Sequence, residues 1–220
     1  MTTTTSTTQV YNLDSLAGLE FINVQAEAVS YQGRPAVRLV EDYQTDGSAI
    51  ALIDGSDFQD GIIEADVVGG LIPNAPPEAR GFVGIAYRVQ PHASAYECFY
   101  LRPTNGRADD QLRRNHATQY IAMPDYPWQK LRAEHPGVYE SYTDILPDEW
   151  TRIRIEVAGQ RGRFFVNDAP QPCLIVNDLK MAGMRGQIGL WIGYGTVAHF
   201  GRVVVRSTSV PKSTQQSLRH

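Results

Sequence analysis

The stretch Trp150-Thr-Arg-Ile-Arg-Ile-Glu-Val157 decides the fold. Successive side chains on a strand point to opposite faces, so Ile153, Ile155 and Val157 share one face while Arg152, Arg154 and Glu156 share the other. Gly159-Gln160 supplies a turn, and Arg163-Phe-Phe-Val-Asn167 follows as a second run. The pair predicts a β-hairpin with one face on a core and one face in water. Working outward, Gly186-Gln-Ile-Gly-Leu-Trp-Ile-Gly193 puts Ile188, Leu190 and Ile192 on a core face and Gly189, Trp191 and Gly193 on the opposite one. His199–Arg206 and 172–179 read as further strands.

The first half carries the same signature. Gly61–Val68 places Ile63, Ala65 and Val67 inward and Ile62, Glu64 and Asp66 outward. Arg80–Val89 separates Phe82, Gly84, Ala86 and Arg88 from Val83, Ile85, Tyr87 and Val89. Tyr96–Arg102 puts Tyr96, Cys98, Tyr100 and Arg102 on one face. Short runs at 21–25, 36–40 and 49–53 precede them, and Asp54-Gly55 and Asp60-Gly61 are turn signals. About a dozen short strands with at most two short helices predict an all-β protein, a two-sheet antiparallel sandwich of jelly-roll type. The helices are expected inside 103–149, at 107–116 with Asp110 and Arg114 paired, and from Pro127 to His135, stopped by Pro136-Gly137. Residues 1–9 read as a Thr-rich disordered tail, 10–206 as one domain and 207–220 as a polar tail.

With 220 residues, 42% of them hydrophobic, the chain is long enough for one substantial core. The net charge of -4 argues against a broad nucleic-acid surface. No segment has the roughly 18 apolar residues of a membrane helix. The N-terminal segment lacks a basic and an apolar region, so the expected location is cytoplasmic, or exported if a leader has been removed. Two cysteines, Cys98 and Cys173, form no disulfide framework and are expected as free thiols. No spacing of His and Cys suggests a metal, and no cofactor is expected.

The segment from Tyr96 to Tyr142 interrupts the scaffold. It holds Arg102, Arg107, Arg113, Arg114 and Arg132, two histidines and a dense set of tyrosines. A polar groove with aromatic surfaces and charged hydrogen-bonding groups suits a hydroxyl-rich ligand, often one carrying a carboxylate.

The closing runs EWTRIRIEV, GRFFVND, PCLIVNDLK and RGQIGLWIGYGTVAHFGRVVV resemble the last strands of the concanavalin A-like lectin/glucanase jelly roll. DGIIEADV, GFVGIAYRV and YECFYLRPTN are similar to its middle strands. The central block resembles uncharacterised bacterial sandwich domains near the 3-keto-disaccharide hydrolases. The resemblance implies a ligand across the concave face of one curved sheet. It marks Glu64, Asp66, Arg88, Tyr100 and Arg102 as candidates, with His116, Gln119 and Trp191 nearby. In an enzyme, Glu64 or Asp66 and His116 would act as acid or base, Tyr100 would donate a proton, and Arg88 and Arg102 would hold an oxyanion or carboxylate, with Gln119 and Trp191 as ligand contacts. Trp191, between Gly189 and Gly193, is expected to lie flat under a sugar ring.

The family 16 glucanases place three acidic residues on one strand. Here Val67, Val68, Gly69 and Gly70 follow Asp66, so the third is missing unless Asp109, Asp110 or Glu140 reaches in. Retaining hydrolysis needs carboxyls about 5–5.5 Å apart across the bond. The signatures of the jelly-roll alginate lyases are also absent. Three function classes therefore stay open. One is a carbohydrate-binding or carbohydrate-cleaving jelly roll, of hydrolase or lyase type. The others are a non-catalytic glycan- or protein-binding module, and an enzyme acting on a small metabolite that is not a sugar.

Overall fold

The computed structural model describes residues 5–41 and 48–209. Among them are fifteen strands. In chain order these are β1 (Thr5–Tyr11), β2 (Leu19–Ile22), β3 (Val24–Tyr31), β4 (Arg34–Glu41), β5 (Ala49–Ile53), β6 (Gly61–Leu71), β7 (Val83–Val89), β8 (Tyr96–Leu101) and β9 (Thr118–Met123). They continue with β10 (Glu140–Ser141), β11 (Thr151–Ala158), β12 (Arg161–Val166), β13 (Leu174–Val176), β14 (Gln187–Ile192) and β15 (Thr196–Ser209). Two short helices, α1 (Gln111–Asn115) and α2 (Trp128–Glu134), lie in the predicted insertion.

The strands form two antiparallel sheets. One runs β13-β12-β11-β6-β15-β4-β3, with β1 added on β15. The other runs β10-β9-β8-β7-β14-β5-β2. The predicted all-β sandwich is therefore the observed architecture. The core lies between the sheets, where the inward residues of β6, β11 and β14 meet. Ile63, Ile153, Ile155, Ile188 and Leu190 are fully buried, and burying each such side chain contributes about 1.5–3 kcal/mol. Phe99 of β8 stacks on Phe164 of β12 at 5.3 Å, joining the two layers.

Several local expectations need correction. The Thr-rich segment read as a tail forms β1 from Thr5 onward, paired with β15 through Thr5 opposite Ser209 and Tyr11 opposite Val203. Edge pairing rather than burial holds it, so hydrophobic patterning does not reveal it. The last strand likewise extends past 206 to Ser209, while the remainder of both expected tails, 1–4 and 210–220, falls outside the described residues. The run at 21–25 is two strands. Asn23 takes a positive φ of 54° and divides β2, in one sheet, from β3, in the other. Asp110 does not pair with Arg114. Its carboxylate accepts from the Arg113 backbone N–H at 2.8 Å and caps α1, a use of Asp that competes with side-chain pairing.

A bulge in β7 decides the position of Arg88. Gln187 faces Val89 and Gly189 faces Ala86, so Tyr87 and Arg88 together oppose Ile188. Arg88 takes a φ of 53° and leaves the strand's alternation. The consequence for the candidate site is large.

Candidate functional site

The seven-stranded sheet turns Tyr96, Cys98 and Tyr100 of β8, Gln119 and Ile121 of β9 and Trp191 of β14 away from the core, as strand alternation predicts. The insertion between β8 and β11 folds back over this outer face, and α2 packs Leu131 and Trp128 against it. The result is a cleft in two compartments.

The first compartment is a cavity of about 450 Å³ whose walls include Phe82, Tyr96, Tyr100, Trp128, Trp191 and Tyr194. Trp191 lies on Tyr100, with ring centroids 4.7 Å apart, and donates its indole N–H to the Tyr96 hydroxyl at 3.1 Å. Ser48 Oγ is 2.8 Å from the same hydroxyl. Burial pushes the Tyr96 and Tyr100 phenols up to about 12, so both are held protonated and act as hydrogen-bonding groups. Glu41 lies on the wall. Burial raises its carboxyl, against the backbone hydrogen bond from Gly195.

The second compartment, about 280 Å³, shares Phe82, Trp128 and Tyr194 with the first and adds Arg80, Arg102, Arg113, Arg132, His116, Asn105 and Glu78. Arg102 is its buried anchor, 4% exposed. It donates to the Tyr100 hydroxyl at 2.9 Å, to Gln119 Oε1 at 3.1 Å and to the His116 carbonyl at 3.1 Å. Its guanidinium also lies 5.8 Å from the Trp128 ring, and that of Arg132 lies 4.6 Å from it.

Behind these groups is Glu140, the first residue of β10. It takes a bidentate pair from Arg132 and a contact at 3.1 Å from His116 Nε2, and it lies 3.7 Å from Arg102. Burial lowers the His116 pKa, with Glu140 opposing and Arg132 and Arg102 reinforcing that direction. A neutral imidazole that donates Nε2–H to Glu140 keeps Nδ1 as an acceptor. His116 and Arg132 also border a third cavity, of about 680 Å³, with Leu112, Pro136 and Tyr142.

The structure thus brings together five of the eight residues singled out in the sequence: Tyr100, Arg102, His116, Gln119 and Trp191. Gln119 is there as a support. It is 1% exposed, and its amide nitrogen is already bonded to the Tyr120 and Tyr139 carbonyls. The openness expected beside Trp191 is corrected too. A Cβ at Gly193 would lie 2.8 Å from Phe82 Cβ, and one at Gly189 would lie 2.4 Å from Ile50 Cδ1. Neighbouring side chains occupy the space those glycines leave, so Trp191 is a wall of the cavity and not an uncovered platform.

The other three lie elsewhere. Glu64 and Asp66 are on the outer face of the eight-stranded sheet. Glu64 accepts from Arg206 at 2.6 Å, and Asp66 from Arg34 at 2.5 Å and Arg152 at 3.0 Å. The sequence placed them on a non-core face correctly, but the two sheets have two such faces, and alternation cannot say which sheet a strand joins. Arg88 is fully buried. The bulge delivers it to Glu97 at 2.7 Å, Asp60 at 3.1 Å and the Gln59 and Gly159 carbonyls, out of reach of a ligand.

Arg80, Arg113 and Glu78 carry no sequence signal that distinguishes them, since they reach the cleft from loops and a helix. Trp128 packs against the core and is half-exposed on the wall shared by both compartments. Glu140, named as a carboxylate that could complete a trio with Glu64 and Asp66, does not: it lies on the seven-stranded sheet, held by three basic side chains. Cys98 and Cys173 are free. Burial raises the Cys98 thiol well above its ordinary value and Cys173 to about 12, so neither is a thiolate nucleophile.

No protein-family model matches the sequence, and no curated protein matches it. Solved structures do. The carbohydrate-binding module CBM66 of Bacillus subtilis aligns with a TM-score of 0.58 at 14% identity, over 87% of this chain and 93% of that one. Peanut lectin, with a nine-residue peptide, gives 0.59 at 8% identity over 95% and 100%. A Bacillus subtilis protein with a galectin-like fold gives 0.56 at 12% identity over 91% and 95%.

The chain shares the two-sheet β-sandwich fold of these proteins. At these identities the likeness concerns the fold, and a fold of this kind hosts many activities. No helix among the described residues is long and apolar enough to cross a membrane.

Proposed function

We propose that the cleft on the seven-stranded sheet binds a carbohydrate. The observation that carries this reading is the union of two compartments through Phe82, Trp128 and Tyr194, one lined by aromatic rings and the other by charged hydrogen-bond donors. A sugar ring has an apolar face of C–H groups and a rim of hydroxyls. Aromatic surfaces cover the first, and guanidinium and imidazole groups satisfy the second. Solved jelly rolls of this fold that are described as a carbohydrate-binding module and a lectin support the reading at the level of fold.

Binding is favoured over hydrolysis by where the carboxylates lie. Glu64 and Asp66, the carboxylates expected as acid or base, are on the other sheet and held by arginines. One observation favours a second reading, cleavage of a glycoside or acidic sugar. Burial lowers the His116 pKa, which favours the neutral imidazole, and Glu140 lies 3.1 Å from its Nε2, the arrangement a general base takes.

The test is a thermal-shift and tryptophan-fluorescence screen against neutral, acidic and 3-keto sugars, on wild type and Trp128→Ala. A ligand at 100 times its Kd stabilises by about 2.7 kcal/mol. A sugar that stabilises wild type and not a folded Trp128→Ala variant supports the reading, and a flat response across the set overturns it. Product chromatography on any bound sugar then separates the two readings. Cleavage lost in His116→Ala with binding retained would establish catalysis.

A further inference from the structure

We infer that the basic compartment holds the carboxylate of an acidic sugar, with Arg80 and Arg113 as the groups that contact it. This rests on the carbohydrate reading and names the class of ligand. The starting point is an imbalance of charge. Arg80, Arg102, Arg113 and Arg132 all face one cavity of about 280 Å³. Arg102 and Arg132 share Glu140 behind the wall. Arg80 and Arg113, among the described residues, have no carboxylate partner. Arg80 donates to the Pro77 and Ala79 carbonyls at 2.6 and 2.7 Å, and Arg113 makes contacts of 3.4 Å to Asn105 Oδ1 and the Thr104 carbonyl.

Neutral acceptors satisfy hydrogen bonds without cancelling charge. Burial, Arg113 and Arg102 all lower the Arg80 pKa, with Tyr194 and Glu78 opposing, so these cations disfavour one another across the cavity. Glu78 is the wall's carboxylate, and it is exposed to solvent and bonded to neither arginine side chain. Like charges gathered against the rings of Phe82, Trp128 and Tyr194 are stabilised by an anion that enters between them.

The planar fork of arginine matches a carboxylate in a bidentate pair. The compartment shares Phe82, Trp128 and Tyr194 with the aromatic one. A single sugar residue carrying a ring carboxylate therefore presents its C–H face to Trp128 and Tyr194 while its carboxylate lies between Arg80 and Arg113.

Calorimetric titration of matched oligosaccharides, neutral, uronate-containing, sulfated and phosphorylated, tests this on wild type, Arg113→Gln and Arg80→Gln, each checked for folding by thermal unfolding. The uronate series is expected to bind more tightly than its neutral counterpart, to weaken as salt is raised, and to lose about tenfold or more in each variant. Neutral affinity should fall by less than uronate affinity does in the same variant. Should Arg80→Gln fail to fold, Arg113→Gln, whose contacts are long and exposed, decides alone. Equal binding of neutral and uronate sugars in wild type and variants overturns the inference and leaves the carbohydrate reading standing. Tighter binding of the sulfated or phosphorylated series overturns the carboxylate assignment. Binding of no sugar at all overturns both.

Discussion

Arg132 grips Glu140 with two parallel hydrogen bonds, Nε to Oε1 at 3.0 Å and the terminal nitrogen to Oε2 at 2.7 Å, while Glu140 is only 6% exposed. This pair ties α2 to β10 and, through His116 and Arg102, to the edge of the seven-stranded sheet. The insertion is therefore fastened over the sheet by charge as well as by Leu131, and the cleft beneath it has a defined shape.

Removing Glu140 should cost more than removing Arg132. Glu140→Ala leaves Arg102 buried with no carboxylate beside it, a situation worth about 3–5 kcal/mol of destabilisation. Arg132 is about a third exposed, and Arg132→Ala leaves Glu140 with His116 and Arg102, so its loss should be smaller. Urea unfolding of the two variants measures the difference, and equal losses would mean that the node is solvated and weak.

Arg88 and Glu97 should matter for stability and not for ligand affinity. Both side chains are 0% exposed at 2.7 Å, and Glu97 also accepts from the Tyr120 hydroxyl at 2.5 Å and the Met181 N–H at 3.1 Å. Glu97→Ala strips three donors of their acceptor and should lower stability by about 3–5 kcal/mol. If Arg88→Met folded normally and bound a ligand less tightly than wild type, the bulge geometry described above would be contradicted.

Acid should weaken the fold partly through His199. Its imidazole stacks on Tyr31 at 3.8 Å, on the outer face of the eight-stranded sheet, and burial, with Arg38, lowers its pKa to about 4. The unfolded chain then binds a proton that the folded chain refuses. The stabilising contribution is present above the ordinary histidine value of about 6.5 and is lost as pH falls toward 4. His199→Phe keeps the stacked ring and removes the titration. Its melting temperature should fall less than that of wild type between pH 7 and pH 4, and parallel curves would show that His199 does not couple to folding.

The sandwich was legible because its strands alternate cleanly. Ile153, Ile155 and Val157 face inward as the pattern requires, and Gly186–Gly193 does the same. Half of the site followed from the same logic, since Tyr100 and Trp191 do share an outer face. The rest was beyond it for physical reasons. Period-two alternation assigns a face but not a sheet, so Glu64 and Asp66 could not be separated from Tyr100. A bulge adds a residue to one strand and changes where the next side chain points, which sent Arg88 inward. Arg80 and Arg113 arrive from a loop and a one-turn helix, where no periodicity marks direction. Glu140 lies on a two-residue strand, too short to leave a pattern.

The most direct measurement compares two single substitutions on opposite sheets. Once the screen has yielded a sugar, calorimetric titration on Trp128→Ala and on Glu64→Ala asks which outer face holds it. With the ligand in the cleft of the seven-stranded sheet, Trp128→Ala weakens binding by about tenfold or more, the scale of a lost aromatic platform, while Glu64→Ala binds as wild type does. Binding lost in Glu64→Ala and kept in Trp128→Ala would place the ligand on the eight-stranded sheet and contradict the cleft as the site.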